Sequence, residues 1–85
     1  MNIVVVEDHQ DLRELFVEHL LGDGFNVVGA GCAEDLDEHM TNVAVDLLVL
    51  DLNLPGESGL EIARRVRAAH TGINIIMLTA LTSED

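Results

Sequence analysis

Four short apolar runs recur along the chain: Asn2-Ile3-Val4-Val5-Val6, Phe25-Asn26-Val27-Val28-Gly29, Leu47-Leu48-Val49-Leu50 and residues 73–79. Runs of β-branched and aliphatic residues without polar alternation read as strands buried on both faces, the pattern of a parallel sheet. Such a sheet needs helices above and below it, and the intervening segments supply them. Residues 11–22 carry Leu12, Leu15, Phe16, Val17, Leu20 and Leu21 near one-face helical spacing, with Gly22 or Gly24 as the C-cap. Residues 33–40 place Leu36 and Met40 on one face of a shorter helix. Residues 58–70 open on Ser58-Gly59-Leu60-Glu61, a capping-box pattern, with Leu60, Ala63, Val66 and Ile62 read as inward and Thr71-Gly72 as the stop. Ser83-Glu84-Asp85 reads as the first turn of another helix. The strand–helix alternation predicts right-handed crossovers and an α/β fold with helices on both faces of the sheet.

Composition narrows the function. The 85 residues hold 16 Asp+Glu against 4 Lys+Arg, a formal net charge of −12. The four basic residues are Arg13, Arg64, Arg65 and Arg67, and there is no lysine. A chain this acidic repels polyanions, so no direct nucleic-acid contact is expected from this segment. Phe16 and Phe25 are the only aromatics, which leaves an aliphatic core and no stacking platform for bases. Cys32 stands alone and reads as an inert buried thiol. With no signal-peptide pattern and no apolar run of membrane length, a soluble, cytoplasmic protein is expected.

The chemistry is expected outside the carboxyl ends of the strands, where open parallel sheets bind ligands. Glu7 and Asp8 follow the first strand, Asp51 ends the third, and Thr79 ends the fourth. Two unit charges ~4 Å apart at an effective dielectric near 20 repel by about 4 kcal/mol, so converging carboxylates call for a cation or a proton. A hard divalent ion with oxygen ligands, Mg²⁺ above all, fits that donor set.

These residues, in this order, resemble the receiver domain of two-component response regulators. Glu7-Asp8 is similar to its acidic pair, Asp51 in Leu50-Asp51-Leu52-Asn53-Leu54-Pro55-Gly56 to its phosphoacceptor, Gly59 to its following glycine, and Thr79-Ala80 to its switch hydroxyl and small neighbour. The resemblance implies a flavodoxin-like open sheet of order 2-1-3-4-5 and transfer of a phosphoryl group to Asp51 from the phosphohistidine of a sensor histidine kinase. It implies Mg²⁺ held by Asp8, Asp51 and the carbonyl of Asn53, with Glu7 acting through water. It also implies a Thr79 hydroxyl that bonds the phosphoryl group, and an output domain or downstream protein that reads the change. Such receivers have a fifth strand–helix unit that brings a lysine. The absence of lysine makes residues 1–85 read as the N-terminal portion of a receiver, with the edge of the fourth strand exposed and prone to self-association.

Two other readings stand beside this one. The fold could serve as a receiver-like interaction module that is not phosphorylated, with Asp8, Asp51 and Asn53 as ordinary strand-end and turn residues. Gly29-Ala30-Gly31, between a strand and a helix, resembles part of a dinucleotide fingerprint, but Glu34 stands where its third glycine belongs. His9 reads as a polar first-turn residue, and Arg64, Arg65 and Arg67 as a solvated helix face.

Overall fold

The computed structural model describes residues 1–78. Within them the order is β1 (Asn2–Val6), α1 (Gln10–Gly22), β2 (Asn26–Ala30), α2 (Ala33–Asn42), β3 (Leu47–Asp51), α3 (Gly59–Ala69) and β4 (Asn74–Leu78). Thr79 and the helix start expected at Ser83 lie outside the described residues.

The strands form one parallel sheet in the order β2-β1-β3-β4. Alternation along β1 divides the core. Val4 and Val6 join Leu36 of α2 and Ile62 and Val66 of α3 on one face, together with Leu48, Leu50 and Leu54. Ile3 and Val5 face the other way with Val49, against Phe16, Val17 and Leu20 of α1. Because β1 and β3 lie between other strands and carry apolar side chains on both faces, Val4, Val5, Val6, Leu48 and Leu50 are all buried. β2 begins and ends one residue later than the apolar run suggests, because its register against β1 runs from Asn2↔Asn26 to Val6↔Ala30.

Two helix faces differ from the expected ones. In α3 the inward stripe is Gly59, Ile62 and Val66, while Leu60 is 48% exposed. The i, i+3, i+7 row decides which side meets the sheet, and Leu60 lies off it. In α1 no residue is fully buried, and Leu12, Leu15 and Leu21 stay exposed. The cause is geometric: α1 lies over β1 and β2, so Phe16, Val17 and Leu20 fill its contact and the other leucines have no sheet beneath them. The same face is open toward β4, where Ile76 is 49% exposed.

The ends of the helices follow local chemistry. Ser58 caps α3 through a complete capping box, its Oγ accepting from Glu61 N at 3.3 Å while Ser58 N donates to Glu61 Oε1 at 3.1 Å. α1 closes with Asp23 N and Gly24 N donating to the carbonyls of Leu20 and Leu21, a turn that puts Gly24 at φ 94°. Cys32 is the half-exposed N-cap residue of α2 rather than a buried thiol. The arginine face is exposed as expected, but two of its side chains are engaged. Arg65 binds Glu57 through Nε and Nη2 and Asp37 through Nη1, and Arg67 Nη1 donates to the carbonyl of Ile73 at 2.8 Å. No helix among the described residues is long and apolar enough to cross a membrane.

Candidate functional site

Strand order reverses between β1 and β3, and both strands end in acids there. Val6 pairs with Leu50, so Glu7-Asp8 and Asp51 leave the sheet at the same level on neighbouring strands. Parallel β1 and β3 thus bring together Glu7 and Asp51, 44 positions apart in sequence.

Each acid is held differently. Glu7 has a buried side chain, 3% exposed, whose Oε2 accepts from His9 N at 3.2 Å and lies 3.3 Å from His9 Nδ1. Asp8 is 29% exposed at its side chain, yet its Oδ1 is buried and makes no hydrogen bond, with His9 Nδ1 standing 3.5 Å away. Asp51 Oδ1 accepts from Asn53 N at 3.1 Å, which sets the direction of the carboxylate at the start of the loop. Oxygen and nitrogen ligand atoms of Glu7, Asp8 and His9 lie within 4.8 Å of one another. Asp51 stands beside this cluster on the next strand.

A buried carboxylate oxygen without a donor is costly, and it is the feature a cation satisfies. The donors present, three carboxylates and nearby backbone carbonyls, are hard oxygens suited to Mg²⁺. The residues therefore fit the ion. Among the expected site residues, the structure brings Glu7, Asp8 and Asp51 to one rim, places Asn53 next to Asp51 in the loop, and leaves Thr79 outside the described residues.

His9 belongs to this cluster, which its reading as a plain first-turn residue missed. It is the N-cap residue of α1 but makes no side-chain cap, because its ring turns back toward Glu7 and Asp8. Adjacency to two acids was the only signal in the sequence. Gly59 also proves to be a site residue. A Cβ there would collide with the carbonyl oxygen of Asp51 and lie 2.8 Å from Leu52 Cα, so the start of α3 rests directly on the residue that carries the acceptor.

The electrostatics give a pH prediction. Burial pushes the Glu7 carboxyl above its ordinary value, and the neighbouring Asp8 and Asp51 push the same way. The contact with Glu7, then the charge of Asp8, raises the His9 imidazole. Both groups bind their protons more tightly in the folded state than in the unfolded state. Their stabilising contributions are therefore present below the unfolded values and lost as pH rises through the folded ones. Metal-free protein should lose stability relative to Glu7→Gln from the ordinary carboxylate value of 4.5 upward, with the His9 contribution fading above 6.5. Thermal melts of the two proteins in chelator check this, and a difference that grows as pH falls contradicts it. Mg²⁺ takes the place of the protons, so its stabilising effect should increase with pH.

Comparison with known proteins agrees with this geometry. The family model described as the response regulator receiver domain matches residues 3–85. The chain belongs to the response regulator receiver family. The receiver is 36% identical over 85 residues to the response regulator UvrY of Escherichia coli, covering 96% of this chain and 38% of UvrY. It superimposes with a TM-score of 0.87 on the response regulator TrrA of Thermotoga maritima in complex with Mg²⁺-BeF, at 36% identity, covering 95% of this chain and 70% of that one. A structure of histidine kinase ThkA in complex with TrrA matches with a TM-score of 0.85 at 35% identity, covering 98% of this receiver and 74% of that chain. The receiver thus spans well under half the length of its curated relative. The four parallel strands and three helices among the described residues form the flavodoxin-like receiver fold.

Proposed function

We propose that the receiver accepts a phosphoryl group on Asp51 from the phosphohistidine of a sensor histidine kinase, in a Mg²⁺-dependent transfer, and passes the change to an output domain or partner protein. In this reading it is a phosphoacceptor that takes part in its own modification, and not a turnover enzyme. The observation that carries the reading is the pairing of Asp51, its carboxylate directed by Asn53 N, with an Asp8 oxygen buried without a partner at the adjacent strand end. TrrA, solved with Mg²⁺-BeF and with a histidine kinase, lends support as a relative of the same fold.

In the transfer, a carboxylate oxygen of Asp51 forms the new P–O bond as the P–N bond of the phosphohistidine breaks; the imidazole leaves with the electron pair and takes a proton from solvent. Asp8, Asp51 and the carbonyl of Asn53 would hold Mg²⁺, with Glu7 acting through water. When bound, the ion supplies positive charge against the phosphoryl oxygens. Glu7, buried beneath the turn, accepts from His9 N and so fixes the turn behind Asp8. The hydrogen bond from Asn53 N holds one oxygen of Asp51, leaving the other to attack. Thr79 would donate its hydroxyl to a phosphoryl oxygen once the group is in place, a local trigger for a two-state switch.

The test is addition of Mg²⁺ and beryllofluoride to the full-length protein. A rise in melting temperature that needs both components together is expected. No response beyond that of Mg²⁺ alone would point to an interaction module whose site is idle.

The edge of β4 carries a further expectation. No strand pairs with its outer side among the described residues, and Ile76 is exposed beside it. The 85-residue chain should self-associate through this edge. A net charge of −12 opposes this, so association should strengthen as salt screens the repulsion. Sedimentation velocity at low and high ionic strength measures it, and a clean monomer at high concentration and high salt contradicts it.

A further inference from the structure

We infer that Arg13 is a positioning residue for the turn that carries Glu7 and Asp8, and that positions 29 and 31 are glycine because the Arg13 side chain lies across them. This rests on the reading of Glu7 and Asp8 as the metal-binding acids.

The turn from Glu7 to His9 joins β1 to α1 and carries two adjacent acids, so it needs to be held from outside. One side chain reaches it from α1. Arg13 Nη1 donates to the carbonyl oxygen of Glu7 at 2.8 Å, while Arg13 N makes the ordinary first hydrogen bond of the helix, to the N-cap carbonyl of His9 at 2.9 Å, as any residue there does. The guanidinium is therefore what the arginine adds to the turn. Glu7 N donates to the carbonyl of Ala30 at 3.0 Å, which ties the same turn to the end of β2.

Ala30 is flanked by the two glycines. A Cβ on Gly29 would stand 3.0 Å from both Cγ and Cδ of Arg13, and one on Gly31 would stand 3.2 Å from Nη1. These distances are tighter than ordinary van der Waals contact, so a side chain at either position obliges the arginine to shift by a few tenths of an ångström. The Gly29-Ala30-Gly31 segment therefore lies against a side chain of its own chain.

Arginine suits the task on two counts. Its stem is long enough to reach Glu7 from the helix, and its planar donor set brings positive charge to a turn that carries two carboxylates. Methionine fills similar space but leaves the Glu7 carbonyl without that donor. Lysine restores one donor and the charge.

The experiment measures Mg²⁺ affinity of the full-length protein by titration calorimetry, with melts in chelator alongside. Outer-shell partners of metal ligands are worth roughly tenfold or more in affinity. Arg13→Met should weaken Mg²⁺ binding by about that factor, and Arg13→Lys should recover most of the loss. Gly29→Ala, which leaves Arg13 present but displaced, should weaken Mg²⁺ similarly, and the double variant should lose no more than either single one. A merely structural role predicts additive losses and no rescue by lysine. Wild-type affinity in Arg13→Met overturns the inference, as does an additive double variant. Should Arg13→Met fail to fold, wild-type affinity in Gly29→Ala overturns it equally. Absence of Mg²⁺ binding in the wild type removes the metal reading and the inference together, whereas binding in the wild type that is unchanged in the variants removes the inference alone.

Discussion

Asp51→Asn is expected to reduce phosphoryl labelling, from a phosphohistidine or a small acyl phosphate, to background. An amide oxygen is a poor nucleophile toward phosphorus and cannot form a stable acyl phosphate, so the loss is chemical rather than structural. The fold should survive. The amide oxygen of asparagine still accepts the hydrogen bond that Asn53 N gives to Asp51 Oδ1. Removing one of the charges that raise Glu7 also relieves repulsion at the rim, so the metal-free variant should melt no lower than the wild type. Mg²⁺ binding should weaken at the same time. Labelling measured with wild type and variant side by side, together with melts in chelator, checks all three statements. A phosphoryl signal that persists in the variant would move the acceptor away from Asp51.

Gly59→Ala is expected to produce the largest loss of stability of any single methyl added to a glycine of this chain. The new Cβ meets the backbone of Asp51 and Leu52, and backbone cannot rotate out of the way as a side chain can. Relief requires the start of α3 to move, and that start is fixed by the Ser58–Glu61 capping box and by Gly59 N donating to the carbonyl of Leu52 at 3.2 Å. The cost should reach the upper part of the overpacking range, about 3 kcal/mol, which for a domain of this size lowers the melting temperature by more than about 10 °C. Because the displaced atoms belong to the residue that carries the acceptor, phosphorylation should slow even where the variant remains folded. Gly72→Ala is the matched control, since its Cβ would meet nothing within 4 Å. Equal melting temperatures for the two variants would contradict the close approach at Gly59.

Much of this arrangement was legible in the residues. The unbroken runs at Ile3–Val6 and Leu47–Leu50 reported strands covered on both faces, because only central strands of a parallel sheet keep apolar side chains on alternate positions in both directions. Ser58 and Glu61 announced the start of α3 through side-chain chemistry confined to four residues, and such local signals survive folding. The carboxylates were visible as strand-end residues, and the order of the sheet turned that into a shared rim.

What escaped the sequence depends on contacts across the fold. Leu60 and Ile62 are both aliphatic and two positions apart, so the helical pattern alone does not say which meets the sheet; the approach of Gly59 to β3 does, and it turns Ile62 inward. The exposed leucines of α1 belong to a helix whose placement over β1 and β2 is a tertiary fact. Arg13 lies in α1 and the glycines at the end of β2, so their contact exists only once the helix is laid on the sheet, and the glycine spacing by itself gives no sign of room for an arginine. His9 carried only its adjacency to two acids, and its ring orientation appears only when the turn is built.

Chemical mapping of the acceptor tests the central claim most directly. Full-length protein is phosphorylated in Mg²⁺, reduced with borohydride, and digested for mass spectrometry, a sequence that converts an aspartyl phosphate to homoserine at the modified position. Homoserine at position 51, dependent on Mg²⁺ during phosphorylation, is the predicted result. Homoserine at another aspartate, or a phosphoryl group that resists borohydride, would contradict the assignment of Asp51 as the phosphoacceptor.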